Sequence, residues 1–343
     1  MNNIVIPRKP ATGLLFNCLS LCPAVTAILY PLVLQAFHET VSLGEGASNL
    51  LALAGATSLL VVAVALPLSG LGVAYLLTRD PQMLNRRARR LAYASIAAPP
   101  LFVFLGVTRG LLGIHLPEFA IWIGIWTLAA AYSWSGRGEV AHTTELSGTW
   151  RVAHGVSAAL ITCYVLFHLT NHLFGLVGPD THAAIMKVGR TVYRARFIEP
   201  LLVGLLLFQV ASGVRLAWRW SGIRTDVFRI FQIGSGAYLA AFILTHLNSA
   251  LVSARAVHKI DTNWAWASGA PVGLIHDAWD IRLLPHYALG VFFVVGHLFS
   301  GLRVVLLAHG TASVIANRIR FFGLSVAAVV AATIICALCG LRL

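Results

Sequence analysis

Long apolar runs, one after another and each close to 20 residues, constrain this chain more than any other feature. Wound as a helix, such a run matches the ~30 Å hydrocarbon core of a bilayer. In lipid every backbone amide must be satisfied within its own helix or a closed barrel. The runs lack the period of two that barrel strands would show, so an all-α bundle is expected. Composition agrees: of 343 residues 58% are hydrophobic and 11% charged, and the mean hydropathy is +0.80. We read a polytopic transmembrane helical bundle of about nine spans, near 12–37, 49–78, 91–113, 117–134, 151–176, 197–219, 229–253, 284–308 and 320–341. No cleavable leader is expected, because the first run begins near Thr12 and continues past Pro31.

The formal charge of +13 would suit nucleic acid, but the arginines between Arg79 and Arg90 sit between two spans, where topology explains them. No nucleic-acid partner is expected, and the lipid bilayer is. Arg8 and Lys9, then Arg86, Arg87, Arg89 and Arg90, then Arg219, Arg224 and Arg229 share one side if the amino terminus is cytoplasmic. A bacterial inner membrane is the expected location. Lys187, Arg190, Arg194 and Arg196 fall on the opposite side. Two readings are open for them: contact with an anion such as a haem propionate or lipid, or ordinary surface charge. Cys18, Cys22, Cys163, Cys336 and Cys339 all lie in apolar stretches and read as small buried residues.

The chain divides into an amino-terminal four-helix region (1–135), a polar connector (136–150) and a five-helix region (151–343). The first region carries almost no ionisable group within its runs. Its Pro99-Pro100 pair should bend the third span, whose start resembles that of the fifth. The last region carries His154, His168, His172, His246, His286 and His297 in or beside its runs. Polar groups at membrane depth are costly and usually line a site, so function belongs there.

Spacing then singles out a pair. Arg151 precedes His168 by 17 residues and Arg229 precedes His246 by 17. At ~1.5 Å per residue the two imidazoles lie level, about 25 Å from the cytoplasmic helix starts. Two level histidines on parallel helices suit one haem iron, with Gly155 and Gly234 offering close approach for a porphyrin; a polar packing pair is the other reading. His172 and His286 would sit shallower, as a quinone head-group pair or as interfacial residues, and His154 is expected at the interface. His297 and Gln209 are expected at similar depth, where a hydrogen bond from His297 to Gln209 or to a neighbouring backbone carbonyl suits it better than a second haem. The stretch from Asn263 to Asp280, rich in Trp, reads as an interfacial cap beside which a quinone could enter. Neither a hydrolase triad nor a phosphate loop is found.

At these residues the second half resembles the cytochrome b membrane anchor of the succinate dehydrogenase/fumarate reductase family, in its five-helix form. The resemblance covers about 151–310: His168 with Gly178 ten residues on, Glu199 opening the next helix, Gln209-x-x-x-Gly213, His246 late in its helix, and His297-x-x-x-Gly301. It implies a haem b held by His168 and His246 on the outer side. A second would fall to Gln209 and His297, where glutamine is not a haem ligand. It also implies electron exchange with a quinone. Catalytic chemistry would reside in separate soluble flavin and iron–sulfur subunits, since no loop here has room for them. A cofactor-free transporter or structural membrane protein on the same scaffold is the alternative from another class. A channel is disfavoured by the few charges along any helix.

Overall fold

The computed structural model describes residues 13–44, 50–79, 85–134 and 148–343. Arg8, Lys9 and most of the polar connector lie outside the described residues. Among the described residues everything regular is helical: α1 (Gly13–Gly44), α2 (Leu50–Arg79), α3 (Arg86–Ile96), α4 (Ala98–Leu111), α5 (Glu118–Trp134), α6 (Gly148–Leu173), α7 (Pro179–Tyr193), α8 (Ile198–Trp220), α9 (Val227–Leu247), α10 (Trp264–Ala267), α11 (Leu283–Ala308) and α12 (Ser313–Leu338). Among the described residues seven helices are long and apolar enough to cross a membrane, or eight if α3 and α4 form one bent span. The fold is that of an integral membrane protein. The remaining expected span, 117–134, corresponds to α5, whose 17 residues sit at the short limit for crossing.

The bend between α3 and α4 is 68°. It falls where expected, because Pro99 and Pro100 lack amide hydrogens and their rings crowd the preceding turn. The Asn85 side chain caps α3 by accepting from the Arg87 and Ala88 amides at 2.8 and 3.2 Å. Two departures concern the outer side. Residues 178–196, expected as a loop, fold into α7, with Gly178 at φ 148° before it and Pro179 in its first turn. His182, Met186 and Gly189 are its buried residues and share one face. Beyond α9, where the span was expected to stop near 253, π-helical turns continue from Asn248 to His258 and end at Lys259, φ 56°.

The two sequence regions are not separate bodies. One core joins Val73, Ala74, Leu77, Ala92 and Ile96 of α2 and α3 to Ile230, Ile233, Tyr238 and Phe293 of α9 and α11. Gly234 belongs to this seam: a Cβ there would lie 2.5 Å from Leu71 and 2.8 Å from Ile96. The amino-terminal region has a core of its own around Tyr30, Leu34, Phe102, Trp122 and Trp126. Polar ties reinforce the junction at both ends. Arg89, 1% exposed, donates to the Ser221 and Ile223 carbonyls beyond α8. Arg282 pairs with Glu118 at 2.6 Å, with both side chains largely buried.

The placement of α6 leaves room for a site. It packs against α7, α8 and α12, whereas α9 packs against α3, α4, α8 and α11. Extensive helix-to-helix packing between α6 and either α9 or α11 is absent among the described residues. The slot between them, flanked by α8, is filled by side chains, and histidines face one another across it.

Candidate histidine-lined site

At the outer end of the slot, His168 of α6 and His246 of α9 approach to 5.9 Å between ring centroids, with planes at 74°. The equal 17-residue spacing therefore does bring these two rings together. Both are half-buried, and neither imidazole makes a hydrogen bond to another described residue. Aromatic neighbours hold them instead. Tyr164 stacks on His168 at 5.6 Å, and Phe242 stacks on His246 at 5.8 Å with planes 11° apart. On its far side Phe242 contacts His286 at 4.6 Å, so it separates the two histidines. Gly290 permits this, since a Cβ there would lie 2.4 Å from the Phe242 ring.

His172 lies one turn beyond His168, with centroids 4.8 Å apart. Its expected partner was His286, but the structure gives it His182 of α7, 5.4 Å away, and Trp264, 6.2 Å away. His286 is instead buried behind Phe242, its carbonyl accepting from the Tyr238 hydroxyl at 2.6 Å. The Asn171 amide donates to His182 Nε2 at 3.1 Å. Four buried polar atoms in this outer cluster have no protein partner: Asn171 Oδ1, His172 Nδ1, His182 Nδ1 and Trp264 Nε1. Burial, with Arg190 adding to it, pushes the His182 imidazole down to about 4. Trp264 is thus a wall of this cluster; Gly175 leaves space for its ring.

The slot's inner end differs from expectation. His154 turns into the bundle: its ring faces His297 of α11 at 6.4 Å. Its Nδ1 lies 2.8 Å from Ser212 Oγ, and His297 Nδ1 lies 2.9 Å from Ser235 Oγ. The expected His297–Gln209 bond does not form. Gln209 instead donates to the His154 carbonyl at 2.8 Å and to Ser157 Oγ at 2.5 Å. The reason is packing: α8 lies against α6 and α9, which turns Gln209 toward α6 and away from α11.

The remaining expected site residues are scattered. Gly155 is exposed, and a Cβ there would meet nothing within 4 Å. Gly234 faces α2 and α3, away from the histidines; Gly236, two residues on, is the glycine that meets His297, at 3.3 Å from a built Cβ. Arg194 donates to Thr262 Oγ1 at 3.1 Å, Arg190 pairs with Asp261 at 3.0 Å, and exposed Arg196 lies against Phe197. Much of the outer positive charge is therefore tied to the 261–262 segment. Glu199 pairs with Arg255 at 2.5 Å, joining α8 to the extension of α9.

Among the described residues no three His, Cys, Asp or Glu side chains converge on a bare metal ion. The slot offers imidazoles two at a time. A metal–nitrogen bond of about 2 Å on each side would put two ring centres roughly 6 Å apart, close to the 5.9 and 6.4 Å at which these two pairs stand. No family model matches this chain, and neither a curated protein nor a solved structure matches it.

Proposed function

We propose that the chain is a membrane haem b protein that passes electrons to or from a quinone. The observation that carries this reading is the slot between α6 and α9, with the unbonded rings of His168 and His246 facing each other across it at 5.9 Å. Imidazoles at membrane depth without hydrogen bonds are costly unless something else binds them. His168 and His246 would hold the iron, Tyr164 and Phe242 would fix their rings, and the haem supplies the one-electron chemistry when bound.

The outer cluster supports a quinone head group beside it. Asn171 donates to His182 Nε2, which leaves His182 Nδ1–H as a free donor, joined by the Trp264 indole N–H. Asn171 Oδ1 is an unused acceptor at the same place. Donors for a quinone carbonyl and an acceptor for a quinol hydroxyl thus sit one turn out from His168. The resemblance of 151–310 to the cytochrome b anchor of the succinate dehydrogenase/fumarate reductase family points the same way. On that reading the soluble partners are flavin and iron–sulfur subunits, the amino terminus is cytoplasmic and the membrane is a bacterial inner one.

The test is optical. Purified full-length protein should show a Soret band that shifts on dithionite reduction, and His168→Ala and His246→Ala should each lose the haem of this seat. A colourless wild-type preparation, from cells supplied with haem, would sink the reading and leave a cofactor-free scaffold.

A further inference from the structure

We propose that an anionic phospholipid docks its phosphate in a cavity at the bundle end opposite α7, between the end of α2 and the turn from α8 to α9. The cavity holds about 400 Å³, within the roughly 300–1,000 Å³ of ligand pockets. Tyr75, Thr78 and Arg79 of α2 line one side, and Arg224, Thr225 and Asp226 of the turn line the other. No histidine lines it, and nothing in it depends on a cofactor.

Cations gather here without matching acids. Arg224 donates to the Arg79 carbonyl at 3.2 Å, which fastens the turn to the end of α2 and sets both guanidinium groups at the cavity. The Arg79 guanidinium lies over the Tyr75 ring at 5.4 Å and makes no hydrogen bond to a described residue. Its N–H donors are therefore open to a ligand. Arg89 stands behind the wall and is 1% exposed. Its Nη1 lies 3.5 Å from Thr78 Oγ1 and 2.9 Å from the Ile223 carbonyl, and its Nη2 donates to the Ser221 carbonyl. All three acceptors are neutral. No carboxylate pairs with Arg89 among the described residues, and its buried Nε has no partner. A buried charge is costly until an opposite charge lies near it. Asp226 is the carboxylate at the cavity, and its Oδ1 already accepts from the Arg229 amide at 2.8 Å. Three arginines thus surround one acid, and guanidinium forks match phosphate oxygens two at a time.

Apolar surface leads away from the cavity along α2. Val62, Ala65, Gly72 and Leu76 form one exposed stripe at helical spacing, and that stripe ends at Arg79. A Cβ built on Gly72 would meet nothing within 4 Å, and Val227 at the cavity rim is 56% exposed. A free phosphate would leave this stripe unused. A phospholipid can lay an acyl chain along it while its phosphate reaches Arg79 and Arg224. A choline headgroup would bring its own cation up to these arginines, so a lipid with net negative charge fits the site.

Native mass spectrometry of purified full-length protein counts the lipids retained. Dioleoyl phosphatidylglycerol should leave one adduct that survives activation after all others are stripped, and dioleoyl phosphatidylcholine should leave none. Arg79→Gln and Arg224→Gln should each weaken that adduct roughly tenfold, the size of one lost hydrogen bond to a charged group. Arg318→Gln removes another exposed charge, near the start of α12 at the same bundle end, and should leave the adduct unchanged. Equal weakening in Arg318→Gln, or equal retention of phosphatidylcholine, would overturn the site and leave diffuse surface charge. Inorganic phosphate at millimolar concentration should not displace the lipid. Displacement by phosphate would overturn the lipid as occupant. The phosphatidylcholine and phosphate arms use unaltered protein, so they remain decisive if a variant fails to fold.

Discussion

His154 and His168 leave the same face of α6, yet their rings are held by different forces. Outside, His168 and His246 are gripped by Tyr164 and Phe242 and make no hydrogen bond to another described residue. Inside, His154 and His297 are each pinned through Nδ1 by a serine. Stacking fixes where a ring plane lies but leaves the tautomer free; a hydrogen bond fixes the tautomer.

The contrast can be broken from several directions. The largest effect is expected for Glu118→Gln, which strands Arg282 beside the outer end of α11; losing one partner of a buried pair costs about 3–5 kcal/mol. Hydrogen exchange should rise around 279–286 and stay unchanged at 229–236, and equal rises at both ends would show that the ends are not held separately. Next comes Gly290→Ala. Its methyl group would displace Phe242, which stacks on His246, at a cost of about 1–3 kcal/mol. On the haem reading, the optical signal of His168 and His246 should change.

Thr245→Val is a milder strike on the same side. Thr245 is 1% exposed, and its hydroxyl lies 2.9 Å from the Pro100 carbonyl and 2.8 Å from that of Ala241. Its loss should lower thermal stability by about 1 kcal/mol and, on the haem reading, shift the midpoint potential. Smallest is a pH effect confined to α7. Burial holds His182 at about 4 in the fold, below its ordinary value near 6.5, so the unfolded segment binds the extra proton. Docking of α7 should be fully stable above about 6.5 and weaken as pH falls toward 4, seen as a change in Trp264 fluorescence. In His182→Gln that change should be absent.

Seven or eight of the nine expected spans, the break at Pro99-Pro100 and the meeting of His168 with His246 were legible in the chain, because each follows from a local rule: run length, a missing amide, or equal helical rise. The rest needed knowledge of which helix packs on which. Gln209 and His297 share a depth, but depth does not say that α8 leans on α6. His154 near a helix start looks interfacial until Ser212 and His297 are seen across from it. Helix α7 was concealed by its polarity, although Gly178-Pro179 and the spacing of His182, Met186 and Gly189 are signals of a helix with one buried face.

The hydrogen bond from Thr245 to Pro100 bears on modularity. The bend in the amino-terminal region brings a backbone carbonyl to the residue directly before His246, while Gly234 on the same helix has no Cβ so that Leu71 and Ile96 can approach. A carboxy-terminal half transplanted onto another chain would bring a hydroxyl and a bare glycine surface shaped for a neighbour it had left behind. The first helices are therefore tailored to the ligand helix, and the two halves should behave as a single heritable unit, not as an anchor with an optional extension.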